Sequence, residues 1–119
     1  MRDDTLFPFQ QLDIYRVAKE LAARVHRAGI ADAELRDQAT RAAKSAFLCL
    51  CEGLPSDRPA VRRKYFTEAD GSLHEAAGAV DLAAAVGAVD AREAEAVLAL
   101  ALRMRRMLRG LMRGRAPAA

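Results

Sequence analysis

Arginines recur at helical spacing near the end of the chain. From Leu98 onward every charged residue is an arginine. Four of them, three, three and four residues apart, would lie along one side of a helix, and we call them the Arg ridge: Arg103, Arg106, Arg109 and Arg113. A row of guanidinium groups can bind the phosphates of RNA or DNA. Basic residues near a helix C-terminus also favour the helix dipole, so a purely structural role stays open.

A second group of basic residues follows Pro55, and we call it the Arg58–Lys64 cluster: Arg58, Arg62, Arg63 and Lys64. Positive charge at the start of a helix opposes the helix dipole, which favours a functional role for these residues. The neighbouring Tyr65 and Phe66 could stack on bases, but packing in a core explains them better. The candidate nucleic-acid-binding residues are therefore Arg103, Arg106, Arg109, Arg113, Arg62, Arg63 and Lys64.

The sequence has no arrangement of residues typical of an enzyme. Its glycines form no phosphate-binding loop, and His26 and His74 have no partner at a spacing that builds a zinc site. Cys49 and Cys51, two residues apart, would point about 200° apart on a helix and could not share a metal. We expect no enzymatic activity, no cofactor and no metal.

Length and composition indicate one all-α domain. The 119 residues suit a single domain, and Ala, Leu, Arg and Glu, all good helix formers, dominate. Aromatic residues make up only 5% and Trp is absent, which disfavours a sheet. The net charge of +3 is too small to require a nucleic-acid partner by itself. No signal-like or membrane-spanning run is present, so we expect a soluble cytoplasmic protein.

Apolar periodicity and turn residues predict four helices, with bounds near 11–28, 33–53, 59–86 and 90–112. Asp32 is placed to cap the second helix, Pro59 suits the first turn of the third, and Asp90 with Glu93 forms a variant capping box for the fourth. The connections are short, which favours an antiparallel, up-down-up-down four-helix bundle. The predicted organisation is a leader at 1–10, the bundle at 11–113 and a flexible tail at 114–119.

The predicted fourth helix is apolar around most of its circumference. Its apolar residues together spread beyond a single stripe: Val97, Leu98, Leu100, Ala101, Leu102, Met104, Met107, Leu108, Leu111 and Met112. A monomeric bundle covers only one side of such a helix, so we expect this helix to join a subunit interface. The alternative is a wide core-facing side with some exposed leucines.

Polar and small residues occupy one side of each of the two middle helices. They are Gln38, Arg41, Ser45 and Glu52 on the second, and Glu68, Gly71, Ser72 and Glu75 on the third. Antiparallel packing about Pro55 would place the two sets level with each other. The predicted pairs are Arg41 with Glu75, Ser45 with Gly71 and Ser72, and Glu52 with Arg62 or Arg63. Charge-assisted hydrogen bonds would then lie on either side of a close crossing.

The same residues carry a resemblance to a known family. The segments QATRAAKSAFLCLCEG and YFTEADGSLHEA, with the opening FQQLDIYRVAKELA, resemble the four-helix-bundle proteins encoded within intervening sequences of large-subunit ribosomal RNA. The matching motif residues are Gln38, Arg41, Ala42, Ala43, Ser45, Glu52, Gly53, Ala69, Gly71, Ser72 and Glu75. The chain departs from the family pattern in being more apolar at 47–51 and in lacking Phe-Pro between the first two helices.

This resemblance implies a ring-like homopentamer without established enzymatic activity. One branch of the family, the accessory variability proteins of diversity-generating retroelements, binds nucleic acid and a reverse transcriptase. The resulting hypothesis is a non-enzymatic oligomeric accessory protein that binds RNA or DNA, with a reverse transcriptase as a candidate protein partner. The alternative is a structural or protein-interaction scaffold with no nucleic-acid role.

Overall fold

A computed structural model describes residues 3–119 of the chain. Within these residues there are four α-helices and no strand, which confirms the all-α class. A 3-10 turn at Pro8–Gln11 precedes α1 (Asp13–Arg27), α2 (Ala33–Gly53), α3 (Pro59–Ala85) and α4 (Ala91–Met112). The predicted helices agree with these bounds to within about two residues. Residues 1 and 2 of the predicted leader lie outside the described part of the chain.

The four helices share one apolar core. The contacts between helices join α1 to α2, α2 to α3, α3 to α4, and α4 back to α1. The buried residues of each helix recur at three- and four-residue steps. One leucine from each helix, Leu21, Leu50, Leu73 and Leu108, is at most 2% exposed. This arrangement is compatible with the predicted bundle.

The starts of α2 and α4 follow from their capping residues. The Asp32 carboxylate accepts a hydrogen bond of 2.9 Å from the Leu35 amide, as predicted. Asp90 likewise accepts from the Arg92 amide. Glu93 does not complete the predicted capping box, because its carboxylate accepts a 2.9 Å hydrogen bond from Arg24 Nε of α1 instead. That ion pair links the first helix to the last.

Two of the three predicted polar pairings between α2 and α3 are wrong. Within residues 3–119, no ion pair joins Arg41 to Glu75 or Glu52 to an arginine, and all three side chains lie in solvent. Long charged side chains at a surface gain little from pairing, since water solvates them equally well. The pairing of Ser45 with Ser72 is confirmed, with their hydroxyl oxygens 3.0 Å apart.

Gly53, rather than Gly71, is the glycine that packs tightly between α2 and α3. A Cβ built on Gly53 would lie 2.7 Å from Cε1 of Phe66, so the ring packs directly on the glycine backbone. Gly71 is exposed, and a Cβ there would meet nothing within 4 Å. Of the small residues predicted at the crossing, Ser45 and Ser72 are in contact, whereas Gly71 faces open space.

Candidate nucleic-acid interface

Arg62 is a structural clamp at the turn between α2 and α3. Its Nη1 donates hydrogen bonds to the carbonyls of Leu54 at 2.8 Å and Ser56 at 3.0 Å, with Gly53 at 3.4 Å. Its guanidinium lies over the Phe66 ring, 5.0 Å from the centroid. The last carbonyls of a helix carry partial negative charge, so Arg62 neutralises the C-terminal end of α2. This candidate residue is thus largely engaged within the chain.

Arg63 and Arg113 come together at the same end of the molecule, although they belong to different basic groups. Both line a cavity of about 390 Å³ between the start of α3 and the end of α4, which we call the end cavity. The other lining residues are Pro59, Arg62, Phe66, Leu111, Met112 and Gly114. None of these residues is acidic, and within residues 3–119 neither Arg63 nor Arg113 forms an ion pair. Sequence reasoning proposed both groups but did not place them together.

The Arg ridge is interrupted at Arg109. Nη2 of this residue lies 4.0 Å from Oδ2 of Asp70 on α3, and the Asp70 side chain is only 19% exposed. Among the described residues, Asp70 Oδ1 and Arg109 Nε are buried side-chain atoms without a hydrogen-bond partner. Arg109 therefore has an acidic neighbour that the sequence analysis did not anticipate, although its side chain is 42% exposed. Arg103 and Arg106 remain exposed, as predicted.

Lys64 does not line the end cavity. It is exposed, and its Nζ lies 5.3 Å from the centroid of the Tyr65 ring. Phe66, by contrast, is 2% exposed, which confirms core packing for this ring. Of the Arg58–Lys64 cluster, only Arg62 and Arg63 line the cavity.

A basic groove between α1 and α2 was missed by the sequence analysis. Arg36, Arg41 and Lys44 line it with His26, Asp37 and Thr40, around a volume of about 320 Å³. Arg36 is partly engaged, because its Nη1 donates to the Ile30 carbonyl at 3.2 Å. Basic residues five and three residues apart on one side of α2 could have revealed this groove, but Asp37 within it weakens its attraction for anions.

The two thiols are held in their neutral form. Burial raises the pKa of both Cys49 and Cys51, and the carboxylate of Glu52 adds to the effect. Cys49 Sγ also lies 3.9 Å from a Glu68 oxygen. A thiol is a poor nucleophile in this form, so the geometry offers no activated cysteine.

A remaining surface feature is an apolar groove between α3 and α4, of about 290 Å³. It is lined by Leu73, His74, Ala77, Leu98, Ala101, Leu102 and Arg105. Leu102 is 44% exposed at this groove, whereas most apolar residues of α4 face the core. No helix of the described chain, α4 included, has the length and apolar character needed to cross a membrane.

Comparison with known proteins gives a family match that spans nearly all of the four helices described above. Among curated proteins, none matches the chain. A model of the family described as 23S rRNA-intervening sequence protein matches residues 10–110, which include all but the last two residues of the four helices. The chain belongs to the family of 23S rRNA-intervening sequence proteins.

Proposed function

We propose that this protein is a non-enzymatic accessory protein that binds RNA or DNA through the end cavity. The observation that carries the proposal is the convergence of Arg63 and Arg113, from two different helix ends, on one cavity without an acidic lining residue. Guanidinium groups match the geometry and charge of phosphates. The family, named for its place within ribosomal RNA sequences, is compatible with association with nucleic acid.

The surroundings of the end cavity favour an anion. Arg62 offsets the negative end of α2, which would otherwise repel phosphate. The first turn of α3 contains no acidic residue, and no side chain caps its amides. Both effects leave the charges of Arg63 and Arg113 available to a ligand.

Fluorescence anisotropy with a labelled RNA hairpin tests this proposal at salt concentrations from about 50 to 200 mM. We expect binding to weaken steeply with salt. The double variant Arg63→Glu with Arg113→Glu should lose roughly tenfold or more in affinity and have a shallower salt dependence. The matched control is Arg27→Glu with Arg92→Glu, two exposed arginines where α1 ends and α4 begins. Equal losses in both variants, or no binding at low salt, would contradict the proposal.

We infer in addition that the helices run antiparallel, in up-down-up-down order. As the residue number increases along α2, the number of the contacting residue in α3 decreases, which supports antiparallel order for the two central helices. The contacts run Ser45–Ser72, Cys49–Glu68 and Gly53–Phe66. The Arg24–Glu93 pair and the contact of α1 with α4 support the same order for the first and last helices.

The apolar groove is our proposed subunit interface, in a homo-oligomeric ring of the pentameric kind that the resemblance implies. An exposed leucine beside an apolar groove favours burial against another surface. A ring would also present the end cavity several times, which would strengthen attraction for a polyanion.

Light scattering tests the assembly. Leu102→Gln should shift the protein toward monomer at micromolar concentration, whereas Leu6→Gln, at a leucine of similar exposure (40%) in the leader, should not. A wild-type monomer would rule out the ring. An oligomer that binds no nucleic acid would instead favour the scaffold function, for which the same apolar groove is the supporting feature.

A reverse transcriptase is the protein partner that the resemblance to the retroelement accessory proteins implies. We propose that the two would meet in the cytoplasm. Co-purification with a reverse transcriptase encoded beside this gene would support this partner. A gene position within a ribosomal RNA operon would contradict it.

A further inference from the structure

The tail after α4 folds back onto the start of α1. Gly114 adopts a left-handed conformation (φ +85°), which turns the chain at the end of α4. The Arg115 amide then donates to the Gly110 carbonyl at 3.0 Å, and the Asp13 amide donates to the Ala118 carbonyl at 3.0 Å. Hydrogen bonds thus hold the tail near both of its ends. The sequence analysis predicted a flexible tail and did not anticipate these contacts.

A cavity of about 190 Å³ lies beneath this tail, and we call it the tail cavity. Its apolar lining comprises Ile14, Met107, Leu111, Ala116, Pro117 and Ala118. Arg106 and Arg115 also line it, and both are exposed. The tail cavity therefore combines an apolar surface with two guanidinium groups.

Arg115 packs against the last turn of α4. Besides its backbone hydrogen bond, its side-chain stem lies over Gly110, with Cδ 3.6 Å from where a Cβ of residue 110 would be. The only acidic lining residue, Asp13, is neutralised by Arg16, whose Nη1 lies 3.0 Å from its Oδ1. The net charge presented to a ligand is therefore positive.

We propose that the tail cavity receives one unpaired nucleotide of a bound strand, an inference that rests on the proposed function. An apolar surface suits the flat face of a base, and guanidinium groups can stack on bases as well as bind the attached phosphate. The volume is below the roughly 300–1,000 Å³ of pockets for drug-sized ligands, so the occupant is a small group such as a single base.

The tail cavity also selects for a class of nucleic acid. Bases of a duplex are stacked and paired, and cannot enter a cavity without being extruded. An unpaired strand presents its bases freely. Leu111 lines both the end cavity and the tail cavity, so one strand can occupy both. The preferred ligand is therefore a single strand or an unpaired loop.

The test compares two single strands of about ten nucleotides by fluorescence anisotropy at low salt. One carries all its bases, and the other is an abasic strand with the same phosphates. We expect wild-type protein to bind the strand with bases about tenfold more tightly, the range of one base stacking on a protein. That ratio should fall to about twofold in Arg115→Gln and in Arg106→Gln. Arg92→Gln, which removes the same charge at the other end of α4 and outside the tail cavity, should keep the ratio.

The outcomes separate this inference from the proposed function. Equal, salt-dependent binding of both strands by wild-type protein would overturn the tail-cavity site and leave nucleic-acid binding by the end cavity intact. A base-dependent ratio that is unchanged in both cavity variants would also overturn it. Failure of either strand to bind at low salt would overturn the proposed function together with this inference.

Discussion

Replacing Gly53 by alanine tests how tightly α2 and α3 are packed. The new Cβ would lie 2.7 Å and 2.9 Å from two ring carbons of Phe66 and 3.2 Å from Cβ of Tyr65. The Phe66 ring cannot move freely, because it is 2% exposed, belongs to the core and lies beneath Arg62. The substitution therefore forces two well-packed helices apart.

The expected loss is a balance of two effects. Overpacking a core of this kind costs about 1–3 kcal/mol. Alanine recovers up to about 1 kcal/mol of helix propensity, and less at the last residue of a helix. The net loss in the free energy of unfolding is therefore about 1–2 kcal/mol, or a fall in melting temperature of about 5 °C for a domain of this size.

Gly71→Ala is the matched control within the same pair of helices. A Cβ at this position meets nothing within 4 Å, so only the gain in helix propensity remains. We expect the free energy of unfolding to rise by about 0.5–1 kcal/mol. Urea and thermal unfolding followed by circular dichroism measure both variants. If both substitutions change the free energy of unfolding in the same direction, the contact of Gly53 with Phe66 is not tight enough to exclude a Cβ, and this prediction is wrong.

Three further predictions concern other contacts. Arg62→Ala should lower the free energy of unfolding by about 2 kcal/mol, because charge-assisted bonds to the turn carbonyls are lost, whereas urea unfolding of Arg63→Ala should match wild type within about 0.5 kcal/mol. Ser45→Ala should destabilise by about 1 kcal/mol, and a double-mutant cycle with Ser72→Ala should give less than the sum of the single losses; additive losses would argue against the bond. Because both cysteine thiols have a raised pKa, less thiolate is present at pH 8 to 9 than in an unfolded chain; iodoacetamide should therefore react faster in urea, and equal rates would contradict the shift.

Helix bounds were predictable because their signals are local. Asp32 caps α2 through an amide only three residues away, and Pro59 begins α3. The pairing of Ser45 with Ser72 was also within reach, since a short turn fixes the register of two helices and short side chains leave little choice of partner. The predicted pairing of Arg41 with Glu75 was wrong for the opposite reason. Long exposed side chains have many conformations, so the register of the two helices does not fix their partners.

The candidate site depended on contacts that sequence spacing cannot supply. Both arginine groups were visible as charge patterns, but only the packing of α3 against α4 brings Arg63 to Arg113. Arg62 was read as a surface cation, whereas the free carbonyls at the end of α2 attract it. The tail cavity had no sequence signal, since the bond between Asp13 and Ala118 joins backbone groups more than a hundred residues apart.

The hydrogen bond between Asp13 and Ala118 places the tail beside the start of α1. With the tail lying on the first turn of α1, and α1 packed along α4, the succession of neighbouring helices closes on itself. A short linker from the tail to the residues before α1 would complete the loop, and the chain could then be opened at Gly87, in the turn between α3 and α4. Such a circular permutant would begin with the present last helix and retain the same four helix–helix contacts, so we expect the core to form whichever helix is synthesised first.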